Sequence, residues 1–392
     1  MLEVADALTV VLQAVRPLTP SPFPIGFHVA GQVLADDILA DADSPPFPKS
    51  LRDGYAVRAA DTPGELRVVE EIPAGVIPSK SVGAGVAARI FTGAPIPDGA
   101  DAVVMQEDVE SHDGSVTIRE AAKPGQFVFP RGHEMRAGDV VLSAGTVLNP
   151  AAVGVLASVG HVEPLLYPRP RVAVLATGDE LVHPSERPTP GRIRNSNSPM
   201  LTALAIASGA AAVDMGIARD TDDSLRELIA SGLFSADVLV LAGGVSVGKF
   251  DLVPGVLEEL GTTILVKQVR MKPGKPFLFG TAGGPLVFGL PGNPVSAFVC
   301  FHLFVKPALR ALAGYADPGP RTATMPMAEA LAESNDRPTY RPAVVEGGAV
   351  RPLAWAGAPD LRGMQPADAL LVLPPGDTRL DAGQPAPVIL LD

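Results

Sequence analysis

The sequence predicts an α/β protein: a doubly wound, mostly parallel sheet domain with additional β-rich domains and a helical connecting layer. Three observations carry this. Residues 171–315 alternate apolar strand-like runs with single helical segments, the pattern of a right-handed parallel sheet covered on both faces. The apolar run Val238 to Leu241 ends in the glycine-rich loop of VLVLAGGVSVGKFD, as a buried strand does where it turns towards a helix. Residues 41–139 and 316–392 are instead rich in short β-like runs, proline and glycine.

The elements follow in order. MLEVADALTVVLQAV sets Val4, Leu8, Val11 and Val15 at helical spacing and carries acids early, so it reads as a helix rather than a signal peptide. Ala102 to Met105 and Ser115 to Ile118 are strand-like, within a small β-rich domain over 41–139. Asn149 and Pro150 open a helix ending near Gly160, and segments 1–40 and 140–170 together form the expected connecting layer. The α/β domain, 171–315, begins with the strand Arg171 to Ala176. Ser198 is expected to cap the next helix, with Pro199 at its first position and Gly209 just past its end. A strand near Ala212 to Ile217 and a helix from Asp222 and Asp223 to Ala230 precede Val238 to Leu241, and Leu252 to Leu260 is helical. Thr263 to Gln268, Pro276 to Phe279 and Leu286 to Phe288 are strands. Asn293 and Pro294 start a last helix towards Leu312, bent or divided by Pro307, and residues 316–392 form a C-terminal β domain.

Composition removes several function classes. With 392 residues, 47% hydrophobic and 19% charged, the chain can bury several cores and is not disordered. Its net charge of −12 argues against nucleic acid, so any anionic ligand needs a local basic pocket. The single cysteine, Cys300, lies in an apolar stretch and reads as a buried small hydrophobe. The longest stretch free of Asp, Glu, Lys and Arg, between Lys275 and Lys306, is broken by glycines and prolines, so no membrane span is expected and the location is cytoplasmic.

The candidate chemistry gathers where strands end, because doubly wound sheets bind ligands beyond their carboxyl edges. Glu180 in ATGDE, Asp220 in GIARD and Asp251 after the glycine loop each follow a strand, and three such acids on one rim suit Mg²⁺ against phosphate oxygens. The plainer alternatives are a helix cap for Asp251 and a solvated turn for Asp220. Gly243, Gly244 and Gly248, with Ser246 between them, let backbone approach a ligand. In MKPGKP, prolines hold Lys272 and Lys275 in place for an oxyanion or phosphate. LPGNPVS supplies Pro291, Asn293 as a natural cap, Pro294 and the Ser296 hydroxyl at a helix start. Gly243 to Lys249 matches the beginning of a nucleotide-binding P-loop, but Phe250 stands where the metal-binding Ser or Thr belongs. Zinc-site spacings are missing.

Together ATGDEL, GIARD, GGVSVGKFD, MKPGKPF and LPGNPVSAF resemble the molybdopterin molybdenumtransferase family, which includes bacterial MoeA proteins and the E domain of gephyrin. SLRDGYAVR, FTGAPIPDGADAVV, GQFVFPRGHEMRAGD and ADALLVLP extend the resemblance over nearly the whole chain. It implies insertion of molybdenum from molybdate into adenylylated molybdopterin, with Mg²⁺-dependent release of AMP. It also implies functional positions at Asp53, Thr92, Glu134, Glu180, Asp220 and Asp251, and at Lys272, Lys275, Pro291, Pro294 and Ser296. Glu180, Asp220 and Asp251 fall on the metal and substrate side, while Asp53, Thr92 and Glu134 come from the small β domain. A homodimer, whose second subunit completes the cleft, is implied as well. The chain departs from the family pattern at Arg52, at Glu134 where an Asp is usual, and near Ala358 and Pro359, where a hydroxyl is lost and Arg337 or Arg341 could serve instead. The competing readings are a molybdopterin adenylyltransferase and a cofactor carrier or scaffold without turnover.

Overall fold

The structure is a computed structural model and describes residues 1–26, 29–244 and 252–391. Helix α1 (Val4–Ala14) leads into a loop region, and a six-stranded sheet follows. Its strands are β1 (Gly54–Val57), β2 (Gly64–Ile72), β3 (Val86–Ile90), β4 (Ala102–Met105), β5 (Val109–His112) and β6 (Ser115–Ile118), in the order β4-β1-β3-β2-β6-β5. Helix α2 (Pro150–Ser158) starts as expected, with the Asn149 side chain accepting from Ala152 N and proline in the first turn. Two short antiparallel pairs join the flanks of this region, Ser21–Pro22 with Leu165–Leu166 and Ile38–Leu39 with Val140–Leu142.

The central sheet comprises β7 (Arg171–Thr177), β8 (Ala211–Ala218), β9 (Val238–Ala242), β10 (Thr263–Gln268), β11 (Pro276–Thr281) and β12 (Leu286–Leu290). Their order is β8-β7-β9-β12-β11-β10; the first four run parallel, and β11 runs antiparallel to both its neighbours, β12 and β10. Alternation explains the continuous apolar runs. Val238 and Val240 of β9 point into one core with Phe288 and Leu201, whereas Leu239 and Leu241 point into the other with Leu225, Ile229 and Leu257. Helix α3 (Asn197–Ala207) serves the first face, and α4 (Asp222–Ser235) and α5 (Val253–Glu259) serve the second. Helix α1 joins the first core through Ala7 and Val11. It therefore does not layer on α2, whose Ala152 and Leu156 lie in a separate cluster. Its apolar stripe found a larger surface on the central domain.

Other boundaries shift for local reasons. Helix α3 begins at Asn197 with Ser196 in the cap position, and Ser198 is buried and bonded to Asn195, so Ser198 is not the cap. Helix α4 runs on to Ser235, and its cap is Thr221, which accepts from Ser224 N. The last helical run is divided one step before Pro307. It comprises α6 (Pro294–Cys300), a π-helical turn at Phe301–Val305, and α7 (Lys306–Leu312) with Pro307 in its first turn. This run is long and apolar enough to cross a membrane, but it lies mostly buried within the first core, as Val295, Phe301 and Leu309 show. The C-terminal region carries β13 (Thr322–Pro326), β14 (Leu331–Asn335), β15 (Thr339–Glu346), β16 (Ala349–Pro352), β17 (Ala369–Leu373), β18 (Gly376–Leu380) and β19 (Pro385–Leu390). Five of these form the antiparallel sheet β13-β19-β17-β15-β16, and β14 pairs with β18.

His302, in the π-helical turn, is buried between the rings of Phe298 and Phe301. Burial, reinforced by the Lys306 ammonium, pushes its pKa down to about 3. Between that value and the ordinary one the unfolded chain binds a proton that the folded chain refuses. Stability therefore falls as pH drops through this window, by up to about 1.4 kcal/mol per unit for one proton. His302→Gln is expected to remove this component. In urea unfolding followed from neutral to acid pH, the wild-type minus variant free energy should decline as pH falls, and a pH-independent difference would refute the assignment.

Candidate active site

Two cavities open beside the carboxyl edge of the central sheet and share Pro276. The first, of about 540 Å³, is lined by Glu180, Asp220, Gly243, Gly244, Pro291 and Asn293, together with Thr177 and Asn197. Strands β7, β8 and β9 end side by side, which is why acids distant in sequence share one rim.

The acid-bearing loop is braced from several sides. Asp179 N donates to Asp220 Oδ2 at 3.2 Å, and Asp220 N donates to Asp179 Oδ1 at 3.4 Å. Arg192 and Arg219 both donate to the Asp179 carbonyl, at 2.8 and 3.4 Å. A Cβ on Gly178, whose φ is +147°, would lie 2.5–2.8 Å from the Glu180 carboxylate, so only glycine lets that carboxylate fold back here. Gly243 and Gly244 also have positive φ, and a Cβ on either would strike Thr177, at 2.7 Å from its carbonyl oxygen and 2.6 Å from its hydroxyl respectively. Among the described residues the buried Thr177 hydroxyl and the buried Asn197 side-chain oxygen have no hydrogen-bond partner, while the Asn197 amide donates to Gly292 O at 2.7 Å. A cavity wall with orphaned oxygens is arranged for a partner from outside. Asn293 holds the cap position of α6 but makes no side-chain cap bond, contrary to expectation.

The second cavity, of about 430 Å³, is lined by Lys272, Lys275, Ser296, Arg337, Glu333 and Trp355, among others. The C-terminal region closes it. Lys272 N donates to Pro338 O, Tyr340 N donates to Lys272 O, and Lys272 Nζ reaches Asn335 Oδ1 at 3.3 Å. Val295 N donates to Ala358 O at 3.0 Å, which ties the stretch beside the cavity to the start of α6. Arg337 faces the cavity; its Nε lies 3.3 Å from Asp336 Oδ1 without forming a hydrogen bond. Arg341 does not line it, being paired with Glu333 at 2.6 Å and donating to Leu353 O.

Cys300 fixes the lysine loop from beneath. Its thiol donates to Gly274 O at 3.7 Å, and burial raises its pKa, which keeps it an unreactive thiol. Gly274 has φ +112°, and a Cβ there would meet Cys300 Sγ at 2.6 Å. Gly274→Ala is therefore expected to destabilise the fold by about 1–3 kcal/mol through strain and overpacking. Chemical denaturation checks this, and an unchanged midpoint would contradict it.

The remaining expected residues stand apart. Asp53, Thr92 and Glu134 line neither cavity. Asp53 Oδ1 accepts from the Thr92 backbone and hydroxyl, both at 2.7 Å, and these bonds hold its carboxyl below the ordinary pKa. Glu134 accepts from Ser44 Oγ at 2.7 Å and lies 3.7 Å from Lys49 Nζ. Pro294 sits at the start of α6. Asp251, Ser246 and Gly248 lie outside the described residues. Among the described residues no group of three or more His, Cys, Asp or Glu side chains is placed to hold a metal. Glu180 and Asp220 nevertheless share the first cavity, and two carboxylates beside an unpartnered hydroxyl fit Mg²⁺, which takes one or two carboxylates and fills its shell from substrate and water. Sequence reasoning missed Thr177, Asn197, Asn335, Glu333 and Trp355. Thr177 alone was signalled, as the strand-ending residue before the glycine of ATGDE.

Three family models match the chain in order: the MoeA N-terminal region (domain I and II) over residues 2–160, a probable molybdopterin binding domain over 173–311, and the MoeA C-terminal region (domain IV) over 324–391. The chain belongs to the molybdopterin molybdenumtransferase family. A molybdopterin molybdenumtransferase of Staphylococcus aureus (strain Mu50) is 35% identical over 374 residues, 92% of this chain and 88% of that protein. One from Nostoc sp. is 42% identical over 296 residues, 73% and 68% respectively. A molybdopterin biosynthesis MoeA protein from Pyrococcus horikoshii superposes with a TM-score of 0.85 at 33% identity, covering 100% of this chain and 99% of its own. The member described here is accordingly a transferase of molybdenum cofactor biosynthesis, and its α/β architecture is that of the MoeA structures.

Proposed function

We propose that this transferase inserts molybdenum from molybdate into adenylylated molybdopterin and releases AMP with Mg²⁺, in the cytoplasm, as a homodimer. The observation that carries the reading is the junction at Pro276 of an acid-rimmed cavity with a lysine-lined one. A diphosphate bridged to a dithiolene needs both kinds of surface, one for the anhydride and one for an incoming oxyanion. Glu180 and Asp220 would hold Mg²⁺, which when bound neutralises charge on the leaving phosphate. Gly243 and Gly244 let backbone come close to the phosphates, and Thr177 offers them a hydroxyl. Lys272, Lys275, Ser296 and Arg337 offer donors to a tetrahedral oxyanion without any proton transfer. Water adds to phosphorus, the anhydride bond breaks, and AMP departs.

Asp53, Thr92 and Glu134 lie away from both cavities of their own chain, so they would act at the cleft of a second subunit. Light scattering is expected to give about twice the 40.4 kDa chain mass. A monomer at working concentration would exclude this arrangement. The reaction itself is tested by supplying adenylylated molybdopterin, Mg²⁺ and molybdate. AMP release that depends on molybdate supports the proposal. Consumption of ATP with molybdopterin would make the chain an adenylyltransferase, and tight binding without turnover would make it a carrier.

A further inference from the structure

The geometry points to the second cavity as the seat of the substrate's pterin ring, with Glu333 reading the amino edge of the ring and Trp355 offering it a face to stack on. This rests on the reading of molybdopterin as the substrate, and adds the residues that recognise its heterocycle. Lys272, Lys275 and Ser296 give the cavity the donors an oxyanion needs, but two further lining side chains do not serve an oxyanion. Glu333 is the one carboxylate among the described lining residues, and its oxygens can only repel those of a deprotonated oxyanion. Trp355, the single tryptophan of the chain, brings a flat apolar surface. A fused planar ring with N–H donors along one edge uses both groups.

The two groups are fixed in advance and relative to each other. Glu333 lies in β14, and its Oε2 accepts from Arg341 Nη1 at 2.6 Å. Arg341 Nη2 donates onward to Leu353 O at 3.2 Å, two residues before Trp355. One guanidinium thus joins the carboxylate to the segment that carries the indole. Leu353 N donates to Pro342 O, Ala356 N donates to Asp360 Oδ2 at 2.8 Å and Val295 N donates to Ala358 O, so the backbone on both sides of Trp355 is tied down. Trp355 itself is half-buried and packs against the first core. Glu333 Oε1 has no hydrogen-bond partner among the described residues, and the side chain is 20% exposed, so this oxygen is open to a ligand. A pterin presents its 2-amino group and N3–H side by side, as a donor pair for a carboxylate. Its 4-carbonyl oxygen is an acceptor, and Lys275 and Arg337 line the same cavity with donors. The volume, about 430 Å³, lies within the range of small-molecule sites. A ring held here keeps the substrate beside the lysines that take the oxyanion.

Titration calorimetry on the full chain tests this with two probes, dimethylpterin and dimethyllumazine, the second carrying a carbonyl in place of the 2-amino group. The wild type is expected to prefer the pterin at least about tenfold, the range for a hydrogen bond to a charged group. Glu333→Gln is expected to erase that preference by weakening the pterin, because the amide replaces a charged acceptor and turns an N–H towards the ring's own donors. A merely structural role for Glu333 would weaken both probes alike and leave the preference intact. Trp355→Leu is expected to lose about tenfold for both probes, and Trp355→Phe to recover most of that loss. Should Glu333→Gln fail to fold by circular dichroism, the two Trp355 variants decide. No binding of the pterin, equal wild-type affinities for the two probes, a preference that survives Glu333→Gln, or unchanged affinity in Trp355→Leu overturns the proposal. Binding is read without turnover, so an intact pterin preference in a chain that releases no AMP counts against the metal-inserting reaction and leaves this site standing.

Discussion

The Glu180→Gln variant is expected to fold normally and to release AMP about 100-fold more slowly or worse. The side chain hangs from a loop that is secured without it. The Asp179–Asp220 backbone contacts, the Arg192 and Arg219 bonds to the Asp179 carbonyl, and the close fit over Gly178 all survive an isosteric amide. What disappears is one negative charge on the rim of the first cavity. Metal-assisted charge neutralisation is worth several kcal/mol, and each 1.36 kcal/mol is a factor of ten in rate. Single-turnover AMP release, paired with a thermal melt, separates chemistry from folding. A variant that melts as wild type and releases AMP at the wild-type rate would remove Glu180 from the reaction.

Lys275→Ala is expected to weaken molybdate binding roughly tenfold or more, the range for a hydrogen bond to a charged group. Lys275 is exposed in the second cavity, whereas Lys272 spends one donor on Asn335. The truncation therefore removes an ammonium without disturbing the β15 contact that anchors the loop through Lys272 and Tyr340. The effect belongs in the molybdate dependence of AMP release and in direct calorimetry, with affinity for adenylylated molybdopterin less changed. Equal molybdate affinities in both proteins would falsify the oxyanion role.

Most strands and helices of the central domain were legible in the sequence, because their signals are local. The continuous apolar run of β9 and the proline at the start of α6 follow from a few adjacent residues. Less legible were features whose cause lies far along the chain. Ser198 looked like a cap, but its hydroxyl is claimed by Asn195 inside the fold. Arg341 looked available for an oxyanion, but Glu333 on β14, a strand of the separate β14–β18 pair, takes it. Helix α1 showed its stripe in the sequence but not the surface that would cover it.

By itself the sequence determined the α/β class, the family, and which side chains have the chemistry for a diphosphate and an oxyanion. Charge, glycine placement and apolar period are properties of short windows, and each is written where it acts. Only the tertiary structure decided that Glu180 and Asp220 share one cavity while Lys272 and Lys275 line another, closed by residues 333–358. It alone separated Asp53, Thr92 and Glu134 from both, and set Glu333 and Trp355 on the same cavity as those lysines. Such groupings are set by strand order and by the docking of distant segments. Those are balances of buried area and hydrogen bonds summed over the whole chain, which no local pattern encodes.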